Sequence, residues 1–161
     1  MASMKKDVEK LRRQIEKGSV PRAYRALLSY MMGLRTHFEK NGSAVSSLYQ
    51  GYMDMTYFAL FPPALKERNL KIALLFNYES FGFEVWLAGR NRQVQRQYWM
   101  LIKDRHWPDY RVSSPGKGVD SILECDLVSD FDLEKPDELT ASIETGTSAF
   151  IDDIESFLAK V

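Results

Sequence analysis

Cysteine is nearly absent from this chain: Cys125 stands alone among 161 residues. One cysteine excludes an intrachain disulfide and fits a reducing compartment. Histidine is almost as scarce, and neither His37 nor His106 is spaced to serve Cys125 or a serine as a catalytic base. Walker loops, GxGxxG fingerprints, zinc-ligand clusters and GxSxG elbows are all missing. Gly116-Lys117-Gly118 lacks the spacing of a phosphate loop and reads as a turn. No apolar run approaches the ~18 residues that span a bilayer. The opening MASMKKDVEKLRRQIEK has no apolar core of the kind a secretory signal needs. These absences predict a soluble cytoplasmic protein with no membrane partner, no cofactor and no metal.

Net charge is missing too, with 22 Lys and Arg against 22 Asp and Glu. This argues against general nucleic-acid binding, which needs a net basic footprint. The balance conceals a division. Residues 1–118 hold 20 basic and 10 acidic side chains, whereas residues 119–161 hold 2 and 12. The halves can neutralise each other within the fold, pair between two copies as a homodimer, or leave the basic half to meet an outside anion.

What is present is ordinary globular material. Hydrophobic residues make up 45% and charged residues 27%, enough to bury a core, and aromatics at 12% are on the rich side. The length predicts one domain over 1–161, with 1–18 a loosely docked helix.

Val8, Leu11 and Ile15 recur at helical spacing and Gly18 stops the first helix. Tyr24, Leu27, Leu28, Met31, Leu34 and Phe38 form the face of a second, ended by Asn41-Gly42. Ser43 then opens a predicted third helix carrying Val45, Leu48, Tyr49, Tyr52, Met53, Phe58 and Leu60, closed by Pro62-Pro63. After Asn69 the period changes to 2. LKIALLFNY and FEVWLAG flank a turn at 79–82 and read as a hairpin with Leu70, Ile72, Leu74, Phe76, Phe83, Val85 and Leu87 buried and Glu84 and Trp86 outward. A helix over 91–106 turns Val94, Tyr98, Leu101 and Ile102 inward. A short strand in DYRVSS, a firmer one in SILECDLV and a last helix from about Asp137 complete the chain. The expected fold is α+β: N-terminal helices, then a small, mostly antiparallel sheet in ββαββα order with helices on its buried face.

The stretch LAGRNRQVQ, 87–95, carries the most specific functional signal. Arg92, Arg96, Trp99 and Lys103 fall on one stripe of the predicted helix, and Arg90 lies just before it. Cations at a helix N-terminus are unfavourable by up to ~1 kcal/mol each unless a negative group compensates. Guanidinium suits a carboxylate or phosphate, and backbone N–H groups at that end favour an anion as well. The simpler account pairs these arginines with the acidic stretch from Glu124 to Glu138. The other receives an outside anion, on a small molecule or a protein partner, at Arg90, Arg92 and Arg96 flanked by Trp86 and Trp99.

Other groups carry weaker signals. Asp130-x-Asp132-x-Glu134 begins like a calcium loop, but Lys135 stands where glycine is needed and Ala141 where glutamate is. Tyr49, Tyr52, Tyr57, Phe58 and Phe61 read first as core and second as a pocket wall. Asp54, among them, would need a partner such as an arginine from 90–96. Glu84, Glu124 and Asp126 share the outer strand faces. Their strand-strand-helix-strand order resembles restriction-endonuclease-like folds, which would imply an enzyme acting on a phosphorylated or nucleic-acid substrate. The E-x-K pair of such nucleases would fall on Glu84-Val85-Trp86, where the lysine is missing.

The segments GYMDMTYF (51–58), FEVWLAGRNRQVQ (83–95) and Tyr98-Trp99 resemble those of an uncharacterised bacterial protein family, over most of the chain from about residue 20. The resemblance implies a bacterial cytoplasmic origin and transfers no activity. Catalytic residues therefore stay unassigned. The best reading is a non-catalytic domain that recognises an anionic group.

Overall fold

A computed structural model describes residues 3–161; Met1 and Ala2, at the start of the expected domain, lie outside the described residues. Helices α1 (Met4–Lys17) and α2 (Ser19–Lys40) are followed by strand β1 (Met55–Leu60), the short helix α3 (Pro63–Lys66) and the hairpin β2 (Leu70–Asn77) and β3 (Gly82–Gly89). Then come helix α4 (Arg92–Ile102), the two-residue strand β4 (Arg111–Val112), β5 (Ser121–Val128) and helix α5 (Pro136–Leu158). The five strands form one sheet in the order β1-β2-β3-β5-β4, and every pairing is antiparallel. The class is α+β, and among the described residues no helix is long and apolar enough to cross a membrane.

Strand alternation sorts the sheet into two unlike faces. Phe58, Leu74 and Val85 lie in register across three strands, as do Leu60, Ile72 and Leu87. Cys125 and Leu123 continue these rows on β5. This face is buried beneath α2 and α5. Phe38 of α2 meets Phe58 at 6.2 Å between ring centroids, and Tyr30 meets Phe83 at 5.6 Å. On α5, Leu139, Ile143, Phe150, Ile154 and Leu158 are buried at the helical spacing their sequence shows. Tyr98 and Ile102 of α4 join the same core, whereas Leu101, expected inward, is exposed.

Residues 43–60 are not a helix. Leu48, Tyr49, Tyr52 and Met53 allow a helical reading, but Thr56, Phe58 and Leu60 also alternate, and β2 offers them a partner. Pairing with β2 prevails over local periodicity. Gly51, at φ 78°, turns the chain where a Cβ would stand 1.9 Å from the Met55 carbonyl oxygen. The preceding segment runs along the outer edge of β1, with Ser46 N–H donating to Ala59 O and Tyr49 exchanging both backbone bonds with Tyr57. That cover blunts an otherwise open sheet edge.

Helix α1 stands apart from this core. None of its residues is buried, and Val8, Leu11 and Ile15 are 57%, 52% and 55% exposed.

Candidate functional site

The second face of the sheet holds the site. In register across β1, β2 and β3, Ala59 lies beside Ala73 and Ala73 beside Trp86; one row on, Lys71 lies beside Ala88. Alanines leave the floor low, while Tyr57 and Trp86 rise beside it. The result is a cavity of about 470 Å³ lined by Ala73, Ala88, Tyr57, Trp86 and Met55 and, at one end, by Lys71, Arg90, Arg92 and Asp120. That volume is in the range of small-molecule sites.

The cationic end is set by a close approach of helix to strand. A Cβ on Gly89 would stand 2.7 Å from the Gln95 backbone nitrogen, so only glycine lets the first turn of α4 sit against the end of β3. Asn91 caps that turn, its side chain accepting from Val94 N–H at 2.9 Å. Gln95 is buried and donates to the carbonyls of Val119 and Ser121 at 2.9 and 3.2 Å. Arg92 binds Gln95 Oε1, the Val119 carbonyl and, at 3.2 Å, Asp120. Arg90 and Lys71 make no ion pair among the described residues.

Trp86 is held in place from the far side. Its Nε1–H donates to Glu84 Oε1 at 3.0 Å, and Ser80 donates to the other carboxylate oxygen at 2.6 Å. Arg111 approaches Glu84 at 3.5 Å, Glu124 at 3.2 Å and Asp126 at 2.6 Å. The hydrogen bond to Asp126 is the largest influence raising the Arg111 pKa above its ordinary value, so its charge persists. Glu84, Glu124 and Asp126 thus gather on one face as the strand pattern predicts, around the Arg111 guanidinium. Among the described residues, no group of three or more His, Cys, Asp or Glu is arranged to hold a metal ion.

The expected site residues separate into two sets. Arg90, Arg92 and Trp86 meet at the cavity. Arg96, one turn further along α4, lines a smaller recess of about 230 Å³ with Arg92 and Lys117. Trp99 lies outside the central cavity, with Lys103 Nζ 5.4 Å from its ring centroid and its buried Nε1 without a partner. Asp54 is exposed in the loop before β1, not on a helix, and its partner is not an arginine. It accepts from Tyr52 N–H at 2.8 Å, and backbone bonds from Tyr52 and Met55 hold its carboxyl below the usual range. The pairing of Arg90, Arg92 and Arg96 with 124–138 is absent among the described residues. The cause is topological: β4 sets Arg111 directly opposite Glu124, while the start of α4 lies against 119–121 at the other end of β5.

Tyr57, the one member of the expected aromatic pocket wall to reach the cavity, lines it with Lys71, Ala73 and Ala88, which the sequence pattern does not single out. The available signal was Lys71, the one charge within the apolar strand LKIALLFN. Elsewhere, Asp132 accepts from Glu134 N–H at 2.9 Å as an ordinary turn, and His37 pairs with Glu144 at 3.1 Å across α2 and α5. Burial is the main cause raising the Cys125 thiol to about 11.

No curated protein and no solved structure matches this chain. A protein-family model described as a domain of unknown function, DUF7000, matches residues 4–158. Nearly the whole chain, open-face cavity included, therefore belongs to the DUF7000 family of domains of unknown function.

Proposed function

We propose that this protein is a non-catalytic binding domain that holds a small organic anion in the cavity on the open sheet face. One observation carries the reading. Lys71 and Arg90 border a recess with aromatic walls and an alanine floor, and neither has an acidic partner among the described residues. Paired cations are commonplace on protein surfaces and mean little. Two without partners, beside apolar walls that lower the local dielectric, attract a carboxylate or phosphate more strongly than either would in open water. Arg92 adds a third donor while anchoring Asp120. A bacterial cytoplasm is the setting this reading assumes, in keeping with a single buried thiol.

The test is thermal denaturation with inorganic phosphate, pyrophosphate and benzoate as probes. At least one should raise Tm in a concentration-dependent way. Lys71→Ala and Arg90→Ala should leave the unliganded Tm nearly unchanged and abolish that rise. A ligand-induced rise that survives both substitutions would remove the cavity from consideration.

A second reading, self-association, is favoured by α1. Its exposed stripe of Val8, Leu11 and Ile15 is flanked by six basic and three acidic residues within 4–17. A groove lined by Asp130, Asp132, Glu138, Phe131 and one cation, Lys135, is net acidic and lies at the other end of the sequence. We take the occupant of that groove to be α1 of a second copy. Sedimentation should detect a dimer that dissociates at high salt and in Leu11→Asp. A wild-type monomer at every salt concentration refutes it.

A further inference from the structure

The binding cavity does not end at its own rim. It shares Lys71 and Arg90 with a second recess of about 360 Å³ that also includes Lys66, Phe61 and Asn69. It shares Arg92 and Gln95 with the 230 Å³ recess lined by Arg96 and Lys117. Lys66, Lys71, Arg90, Arg92, Arg96 and Lys117 thus border three adjoining recesses that share lining residues, and among the described residues Asp120 is the one acidic side chain lining them. Among the described residues, Arg92 alone of the six has an acidic partner.

The arrangement says something about the number of charges on the occupant. A monoanion satisfies one or two guanidinium or ammonium groups and leaves the others repelling one another. Six cations around joined recesses match an occupant whose negative charge is distributed over several groups. Tyr57 and Trp86 wall the central recess, with the Trp86 indole N–H donating to Glu84, and Phe61 lines the second. A flat ring therefore has a place in the middle and multiple anionic groups have places at the cationic end. Two of the neutral polar groups there are already engaged, Gln95 on two carbonyls and Asn91 on the helix cap.

Resting on the reading that the cavity holds an organic anion, we propose that its occupant is a nucleotide carrying two or more phosphates. The base lies against Trp86 and Tyr57, and the phosphates extend past Lys71 and Arg90 toward Lys66. Stacking is tolerant of base identity, so selectivity resides in the phosphate chain.

Calorimetric titration of the full chain with adenosine, AMP, ADP, ATP and pyrophosphate tests this. Affinity should rise about tenfold or more from AMP to ATP, adenosine should give no measurable binding, and pyrophosphate should bind about tenfold more weakly than ADP. Lys66→Ala, outside the central recess, should weaken ATP by about tenfold and leave AMP within about twofold, a difference that general damage to the fold would not produce. Benzoate binding as tightly as ADP, or AMP matching ATP, overturns the nucleotide and leaves the organic-anion reading standing. A single-stranded oligonucleotide binding more tightly than ATP overturns it in favour of a nucleic acid. No binding of any of these probes, with Tm also insensitive to them, ends both.

Discussion

Trp86 and Glu84 lie two residues apart on one face of β3, and the indole N–H donates to the buried carboxylate at 3.0 Å. Through this bond, a wall of the cavity depends on a side chain outside it. Glu84 is 4% exposed and also accepts from Ser80 and pairs with Arg111. Glu84→Ala removes all three interactions. We expect a loss of about 1–3 kcal/mol in urea denaturation, as for buried hydrogen-bond partners left unsatisfied. Trp86 fluorescence should shift to the red as its ring is released. An unchanged emission spectrum would show that the bond does not orient the ring.

Arg111 answers three carboxylates at once. Arg111→Met leaves the buried Glu84 carboxylate with the Ser80 and Trp86 hydrogen bonds but without its cation. Full burial of such a pair gives losses of about 3–5 kcal/mol, and because Arg111 is half exposed we expect about 2 kcal/mol. Adding Glu84→Gln should recover part of the loss, and a double-mutant cycle measures the coupling. Additive effects would mean that Arg111 neutralises only Glu124 and Asp126.

Cys125 has a thiol pKa raised to about 11 in the folded protein, mainly by burial. The unfolded thiol ionises near 8.5. A folded pKa above the unfolded one contributes stability that is complete below about pH 8.5 and is lost as pH rises toward 11. Cys125→Ala should flatten part of the alkaline decline of the wild type. Native protein at neutral pH should react with a disulfide reagent far more slowly than the urea-unfolded chain.

Leu87 and Leu11 form a matched contrast. Leu87 is fully buried between β2 and β5, and Leu87→Asp should unfold the protein by burying an unpaired charge. Leu11 is 52% exposed on α1, so Leu11→Asp should alter Tm little in a monomer. Circular dichroism melts of the two variants decide both points.

The parts legible in the sequence are those in which local period and tertiary environment agree. LKIALLFN, FEVWLAG and SILECDLV alternate, and each forms a strand with the predicted face buried. The last helix shows its 3.6-residue period and buries the corresponding side chains. Residues 55–60 fit two periods, and their state depends on β2, a partner the local pattern does not reveal. The cavity was half legible for a related reason. Arg90 and Arg92 stand out at a strand-to-helix junction, whereas Tyr57 and Lys71 come from strands whose adjacency only the pairing order supplies. The short strand expected in DYRVSS forms as Arg111–Val112, but two residues carry no register signal, and it is the register that sets Arg111 among the acidic residues.

All the helices that seal the core lie against one side of the sheet, which leaves the floor of the cavity largely free of structural duty. Tyr57 and Lys71 border the cavity on the face opposite Phe58, Ile72 and Leu87, so exchanging either reshapes the recess without removing a core side chain. A scaffold divided in this way allows the uncovered side to change by a few substitutions while the buried side is kept.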